Sequence, residues 1–505
     1  MIPSCPIQRS DLTMSRNLSS VFLALAKRWP DRSAIESGSR TLSYLEMMKA
    51  AGSVAEVLTA HGVDGNIRIG IAMSRNDDAF IAMLATWLVG ATALVTDFRS
   101  RANERQKLVE AMDLDFFVED RPAPGGHDYP ALKINVNSYC EGFELRSLPS
   151  PPAADASPIA VIGISSGTTG IPQSVALSHE CLFARYVIAR TSPQWQPGGR
   201  LAVSAPLAFS ATRKHVLSRL LDGGTVFFMP LLTSPQEFVD IVNGKGVSAV
   251  LTVPSIIRDL LPLAPPEALL FPDVNWLMSC GAPMSPHEKL ESCARLSSGF
   301  VQNYGSTMAG MITLLETAAI EEHIHSVGRV LPHVLVEIVD AGGGQVSSGE
   351  TGHIRVRTPG AADNLPIKYS TAERQSELNP DGWIYPGDLG SLDRDGFLTI
   401  VGRSSDLIIR GGINVFPVEV ETTLVEHPAV AEAAVVGWPD PHVGEEIAAF
   451  VVLKGEAMPR EIMAWCRSRL QPDKQPRDVF VVTEMPRNTN GKLVKRDLLA
   501  RLPER

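Results

Sequence analysis

The sequence has no block of lysine and arginine that stands out, although it carries 46 basic and 56 acidic residues for a net charge of −10. Proteins that bind nucleic acids concentrate basic residues on one face or helix, so this composition argues against a nucleic-acid partner. The six cysteines are scattered and show no CxxC or other metal-ligand spacing. We therefore expect reduced thiols, no structural zinc and a cytoplasmic protein.

Long apolar segments are also scarce. The uncharged stretch 79–96 is marginal in length for crossing a bilayer, and Gly90 interrupts it. We expect a buried helix over 79–89 and a buried strand over 92–95, with no membrane span. The N-terminus lacks a basic region followed by an apolar one, so we expect no secretory signal. The C-terminus carries no peroxisomal or prenylation signal.

Short apolar strands alternate with helix-length segments over the first 400 residues, which predicts an α/β fold of mostly parallel sheets covered by helices. From about Val334, strands separated by Gly and Asp turns predict a meander or small antiparallel β-barrel. A separate α+β pattern of about 100 residues follows Gly402. We expect an N-terminal domain over 1–402, divided into two sheets and the barrel, and a small mobile C-terminal domain over 403–505.

The most informative stretch is a Gly/Ser/Thr-rich loop that follows the apolar strand pattern 159–163. Glycines allow successive backbone N–H groups to point into one concavity, and hydroxyl groups add donors, so the loop suits phosphate. The alternative is an ordinary surface connection, which the preceding strand argues against. The phosphate-binding candidates are Ser165, Ser166, Gly167, Thr168, Thr169, Gly170 and Gln173.

Four further stretches accompany the loop, at 302–308, 382–390, 402–421 and 486–496. In this order and at these separations, the five motifs resemble those of the adenylate-forming superfamily, which includes acyl-CoA synthetases, peptide adenylation domains and luciferases. The resemblance extends from Asp31 to Arg496. It implies a two-step reaction, in which ATP and a carboxylic acid give an acyl-adenylate and pyrophosphate, and a thiol then displaces AMP.

The resemblance also implies roles for single residues. Asp388 would accept hydrogen bonds from both ribose hydroxyls, and Arg403 would also reach the ribose. Lys492 would be inserted over the forming adenylate as a mobile point charge, and Thr307 would contact phosphate. An exposed loop lysine and a turn aspartate are the alternatives. The residues expected around adenine are Gly281, Ala282, Pro283, Asn303, Tyr304 and Gly305.

Two positions depart from the family pattern. Gln173 stands where the loop lysine is expected, and Met308 replaces the glutamate that usually holds Mg²⁺. A thioether is a poor ligand for this hard cation, although Mg²⁺ could still bind through ATP oxygens, Thr169 and water. Both departures fall on the pyrophosphate side, so we expect slow adenylation.

The acid is expected near Phe209, Met308, Met311 and Gly328, where the apolar side chains would form an adaptable wall. For the methionines, plain core packing is an equally open interpretation. The basic run 213–215 is expected to be a solvated helix start, with contact to a second substrate carboxylate as the alternative. Gly411 and Gly412 would pack against a thiol arm, which could belong to coenzyme A or to a carrier protein.

Three hypotheses follow. The leading one is an acid–thiol ligase, an acyl- or aryl-CoA synthetase that uses ATP, Mg²⁺ and coenzyme A. The second is a stand-alone adenylation enzyme that loads a carrier protein in trans. The third is a catalytically weakened protein that binds nucleotide or acyl-adenylate without releasing pyrophosphate.

Overall fold

The computed structural model describes residues 17–126, 129–140, 157–165, 173–230, 233–363, 382–487 and 493–503. The predicted site residues Ser166–Gly170 and Lys492 lie outside these ranges. For Ser165 and Gln173 only the backbone is described.

The helices are spread along the whole described chain. Their bounds are α1 Leu18–Arg28, α2 Tyr44–Ala60, α3 Asn76–Leu88, α4 Ala102–Met112, α5 Asn137–Cys140, α6 His179–Ala189, α7 Ser210–Leu221, α8 Pro235–Gly244, α9 Pro254–Leu260, α10 Pro286–Glu291, α11 Pro417–Val425, α12 Pro459–Arg467 and α13 Lys495–Leu499.

The strands alternate with these helices in the first half of the chain and cluster in the second. Their bounds are β1 Ser33–Ser37, β2 Arg40–Ser43, β3 Arg68–Ala72, β4 Thr92–Val95, β5 Phe116–Glu119, β6 Ala131–Lys133, β7 Ile159–Ser165, β8 Gln173–Ser178, β9 Arg200–Val203, β10 Thr225–Phe228, β11 Ala249–Thr252, β12 Trp276–Cys280, β13 Phe300–Ser306, β14 Gly310–Glu316, β15 Arg329–Val330, β16 Leu335–Val339, β17 Gly352–Arg357, β18 Asp388–Leu392, β19 Leu398–Arg403, β20 Ile408–Arg410, β21 Ile413–Val415, β22 Val430–Asp440, β23 Gly444–Leu453 and β24 Asp478–Val481.

The chain divides into two compact units. The first consists of Met1–Ile324, Val330–Leu335 and Val356–Ile384, and the second of the remaining segments, ending with Tyr385–Arg505. The domain boundary predicted after residue 402 falls inside the second unit and stays a prediction.

The first unit is built on two sheets with parallel interiors. The larger has the order β15-β14-β13-β12-β11-β9-β10-β1-β2, and the smaller has the order β6-β5-β3-β4-β7-β8. Interior strands such as β4 and β11 are buried at every position, because helices cover both faces of parallel sheets. The N-terminal β1 pairs with β10, where Ile35 lies opposite Val226.

The apolar stretch 79–96 forms α3 and β4, as predicted, with a turn at Gly90 between them. All thirteen residues of α3 are buried, including Asp77 and Asp78 at its start. Arg40 pairs with both carboxylates, which compensates their charge in the interior. Among the described residues, no helix is both long and apolar enough to cross a membrane.

The second unit contains two smaller sheets. The four-stranded sheet has the order β16-β17-β18-β19, and its β17–β18 and β18–β19 pairs are antiparallel, as the predicted meander requires. Its strands are ordered as an open sheet, because four strands are fewer than small closed barrels use. The five-stranded sheet joins β21-β20-β23-β22 with β24 and packs against α11 and α12 around Val420, Leu424 and Ile462.

Candidate active site

The glycine-rich loop connects two strands that are paired with each other. Ser165 at the end of β7 lies opposite Gln173 at the start of β8 in an antiparallel pair. Because β7 also pairs in parallel with β4, its carboxyl end lies at the same sheet edge as that of β4. Ligands bind at this edge in open α/β sheets, so the two ends of the loop are placed as a phosphate site requires.

Thr307 lies beside the strand that leads into this loop. A Cβ atom added at Gly163 would stand 3.3 Å from Thr307 Cγ2. Thr307 belongs to the turn between β13 and β14, which Ser306 closes by accepting a hydrogen bond from Ala309 N at 3.0 Å. The structure therefore brings the predicted phosphate-contacting threonine next to the predicted phosphate-loop strand.

Arg185 on α6 holds this turn in place, although it belongs to none of the five sequence motifs. Its Nη2 donates hydrogen bonds to the carbonyls of Thr307 and Met308, both at 2.9 Å, and its Nε donates to Gly360 O at 2.8 Å. The side chain is buried. The sequence feature that could have identified Arg185 is its place in the otherwise apolar pattern of α6, because a buried arginine needs hydrogen-bond partners.

The two segments expected around adenine follow neighbouring strands. Gly281 follows β12 with a φ of +90° and begins the exposed turn Gly281–Pro283. Tyr304 and Gly305 lie inside β13, because the antiparallel partner β14 extends that strand beyond its pairing with β12. Asn303 Nδ2 donates to the carbonyls of Tyr304 and Thr313.

Gly305 fits a position that excludes any side chain. A Cβ atom there would stand 2.2 Å from the carbonyl oxygen of Gly310 on β14. The ladder between β13 and β14 also shifts register between Tyr304 and Gly305. A glycine at this position therefore allows the close approach of the two strands beside the site.

The expected acid-binding residues occupy different environments. Phe209 caps α7 and is half-buried, Met308 is half-buried in the turn, and Met311 is buried on β14. Gly328 belongs to the second unit, where its φ is +108° and its carbonyl accepts a hydrogen bond from Leu398 N. Arg213 donates to the carbonyls of Leu207 and Ala208 and so fixes the segment that leads to Phe209.

The expectation of a solvated helix start at 213–215 is wrong. Every residue of α7 from Thr212 to Leu221 is buried, because the helix packs between the large sheet and α6. Burial lowers the pKa of Lys214 to about 7 and the pKa of His215 well below its usual value. The basic run therefore consists of interior groups.

The second unit joins the two residues expected at the ribose. Asp388 begins β18 and Arg403 ends β19, and the two lie opposite each other in the antiparallel ladder. Arg403 Nε lies 3.3 Å from Asp388 Oδ1. The carboxylate side chain is 11% exposed and the arginine 45%, so one member is sheltered while the other reaches into solvent.

Gly411 and Gly412 form the turn between β20 and β21, with φ values of +58° and +86°. Two successive positive φ angles are typical of a two-residue hairpin turn, which glycine adopts readily. The flanking Ile409 and Ile413 are exposed. The predicted thiol-arm residues are thus at the tip of an apolar hairpin.

The segment on either side of Lys492 is anchored. Arg487 and Leu493 form an antiparallel bridge, and Val494 N donates to Pro486 O at 2.9 Å. Lys495 Nζ lies 2.7 Å from Glu421 Oε1 on α11. These contacts anchor the described residues on both sides of the predicted catalytic lysine.

A divalent cation would find few ligands on the described residues. Within the ranges that the structure describes, no group of three His, Cys, Asp or Glu side chains could hold a metal ion. Met308 offers only a thioether beside Thr307. The donor set of this part of the chain therefore does not fit a cation held by the protein alone.

The chain is similar to known enzymes over nearly its whole length. Residues 22–364 match the family model described as AMP-binding enzyme, and residues 419–492 match its C-terminal domain. A 2-succinylbenzoate–CoA ligase of Bacillus cereus is 28% identical over 93% of this chain and 95% of the relative. A fatty acid–[acyl-carrier-protein] ligase, ScoC, of Streptomyces coeruleorubidus is 26% identical over 94% of each. The structure of O-succinylbenzoate coenzyme A synthetase from Bacillus subtilis, in complex with ATP and magnesium ion, superposes with a TM-score of 0.83, at 26% identity over 95% of this chain and 98% of that one.

Proposed function

Because this chain belongs to the AMP-binding enzyme family, we propose that it activates a carboxylic acid with ATP and transfers the acyl group to the thiol of coenzyme A. In the first step a carboxylate oxygen attacks the α-phosphorus, and the bond to the bridging oxygen of pyrophosphate breaks. In the second step the thiol sulfur attacks the acyl carbon, the bond to AMP breaks, and the thiol proton is released.

The pairing of Asp388 with Arg403 is the observation that carries this proposal. A sheltered carboxylate suits the vicinal hydroxyls of a ribose, since each oxygen can accept a hydrogen bond. The exposed guanidinium next to it would hold that carboxylate in place and reach the same sugar. We assign both residues to the nucleoside.

The remaining roles are assigned by likeness to the family. Ser166–Gly170 and Gln173 would hold the β- and γ-phosphates, with Thr307 beside them. Lys492 would bridge the carboxylate and the α-phosphate as charge develops there. Mg²⁺, when bound through the phosphates and water, would neutralise phosphate charge. Met308 supplies no carboxylate, so we assign no protein ligand to the Mg²⁺ ion.

Coenzyme A is the acceptor that we favour, since 2-succinylbenzoate–CoA ligases are among the similar proteins. The similarity to an acyl-carrier-protein ligase supports a carrier protein as the second candidate. The exposed hairpin at Gly411 and Gly412 suits the phosphopantetheine arm of either. Because ATP and coenzyme A are cytoplasmic metabolites, we also propose a cytoplasmic location.

The test is pyrophosphate release across a panel of carboxylic acids, with and without coenzyme A or a holo-carrier protein. We expect release with at least one acid, and a fall of about 100- to 1,000-fold in the rate for Lys492→Ala. Lys474→Ala is the matched control, because Lys474 pairs with Glu419 in the same unit. Absence of release with every acid would refute the enzymatic function, and unchanged release in Lys492→Ala would refute the role of that lysine.

A further inference from the structure

Three buried cations lie on α6 and α7, two neighbouring helices. They are Arg185 on α6 and Arg213 and Lys214 on α7. The two helices pack against each other, and the charge of Arg185 lowers the pKa of both Arg213 and Lys214. No carboxylate among the described residues forms an ion pair with any of the three. A buried positive cluster without an anion is costly, so a group that brings negative charge is expected there.

The two arginines are satisfied by backbone carbonyls, whereas the lysine is not. Arg185 donates to three carbonyls and Arg213 to two. In the described part of the chain, the ammonium of Lys214 makes neither a hydrogen bond nor an ion pair. The residue nevertheless retains 8% exposure, so a ligand could reach it.

Lys214 is buried, unlike the predicted adenine-binding residues that follow β12. Cys280, the last residue of β12, is buried as well. The next residues along the chain, Gly281–Pro283, are exposed. Phe209, the expected wall of the acid pocket, caps the helix that carries Lys214. A group that reaches Lys214 would therefore belong to the end of the acid remote from the nucleotide.

We propose that Lys214 binds a second carboxylate of the acid substrate, so that this enzyme activates dicarboxylic acids or aromatic acids with a remote carboxylate. The inference rests on the proposed function. An ammonium group donates strong, charge-assisted hydrogen bonds to a carboxylate, and burial strengthens that pair by excluding water. The arginines add favourable charge, although their donors are already used by the backbone.

The protonation state of Lys214 should change when such a ligand binds. Burial and the charge of Arg185 lower its pKa to about 7, while Cys280 acts in the opposite direction. Near neutral pH it is therefore only partly protonated, and a bound carboxylate favours the charged form. Binding of the second carboxylate should therefore be accompanied by proton uptake near neutral pH.

Lys289 provides a matched control in the same unit. It is also buried, and burial lowers its pKa to about 8, but its ammonium donates to Ile324 O at 2.8 Å. Its role is therefore structural. Lys289→Met should lower thermal stability without altering the choice of acid, whereas Lys214→Met removes an uncompensated buried charge and should raise the melting temperature.

The experiment compares kcat/KM for acids that differ by one carboxylate, namely adipate with hexanoate, and 2-succinylbenzoate with 4-oxo-4-phenylbutanoate. We expect the wild type to prefer the diacid of at least one pair by about tenfold or more, and Lys214→Met to lower that ratio by about 10- to 100-fold. Lys214→Arg should retain part of the preference, since it keeps the charge.

The outcomes distinguish a failure of the proposed ligase function from a failure of the role assigned to Lys214. If no acid supports pyrophosphate release, the proposed function fails. If acids are activated but the ratio is the same in Lys214→Met and wild type, Lys214 binds the reacting carboxylate or none, and the inference is overturned. If Lys214→Met does not fold, Lys214→Gln takes its place, because an unchanged diacid preference in that variant overturns the inference as well.

Discussion

Arg185 Nη2 donates to the backbone carbonyl of Met308 across 2.9 Å and so ties α6 to the turn between β13 and β14. We predict that Arg185→Lys lowers the kcat of adenylation by about tenfold or more, because one ammonium cannot replace a planar fork that contacts three carbonyls. Stability should fall by about 2–3 kcal/mol, since buried carbonyls lose their donors. Pyrophosphate release and urea unfolding measure the two effects.

Arg219→Lys is the control for this variant. Arg219 is equally buried, donates to Gln196 O at 2.7 Å and lies over the ring of Trp195, away from the turn. It should lose stability while the folded enzyme keeps its kcat. If the two variants lose stability equally and both keep their kcat, Arg185 does not position the site.

Replacing Asp388 with asparagine should raise the KM for ATP by about tenfold or more, because a neutral amide presents one acceptor where the carboxylate presents two. Glu337→Gln serves as the comparison, since Glu337 pairs with Arg355 in the same four-stranded sheet. That substitution should leave the KM for ATP at its wild-type value. Equal values for Asp388→Asn and wild type would remove Asp388 from the nucleoside site.

Restoring the family residues should accelerate adenylation. Met308→Glu adds a hard oxygen ligand for Mg²⁺, and its backbone is already fixed by Arg185 and Ala362. Gln173→Lys adds positive charge at the proposed phosphate site. We expect faster pyrophosphate release at lower Mg²⁺ concentration, whereas Met458→Glu at an exposed position should have no effect. A slower rate in both site variants would show that these positions are tuned to their present residues.

His179 should make the protein sensitive to acid. Its Nδ1 accepts a hydrogen bond from Leu18 N, and burial lowers its pKa to about 3, against about 6.5 in the unfolded chain. Between these values the unfolded state binds more protons, so stability falls as the pH falls below 6.5. The loss attributable to His179 is about 2 kcal/mol between pH 7 and pH 5.

Urea unfolding at pH 5, 6 and 7 measures this dependence. His179→Gln should be less stable at pH 7 but should lose less on acidification than the wild type. His61→Gln, at an exposed position, should follow the wild-type profile. If the free energy of unfolding falls equally with pH in His179→Gln and wild type, His179 does not control the loss of stability in acid.

Local patterns predicted much of the fold. The expected helix 79–89 and strand 92–95 correspond to Asn76–Leu88 and Thr92–Val95, because an apolar run interrupted by glycine encodes both elements. Asp388 and Arg403 lie opposite each other because their motifs fall at the two ends of one β-hairpin, formed by β18 and β19. Such features depend on residues close in sequence.

Features that depend on distant packing were not predictable in the same way. The run 213–215 is polar by pattern, yet it is buried because α6 and the large sheet cover it. Arg185 reaches the turn at Thr307 and Met308 from more than a hundred residues away. When the partners of a charged group are distant in the sequence, the residues around that group do not show that it is buried.

The pairing of β1 with β10 has a consequence for synthesis. Ile35 cannot meet Val226 until the intervening chain of about 190 residues has left the ribosome, which takes roughly 10–40 s at ordinary elongation rates. During that interval β1 and β2 have no neighbour in the large sheet, and their edges are open to other chains. Nascent-chain chaperones should therefore engage this N-terminal segment, and slower translation before residue 226 should increase aggregation.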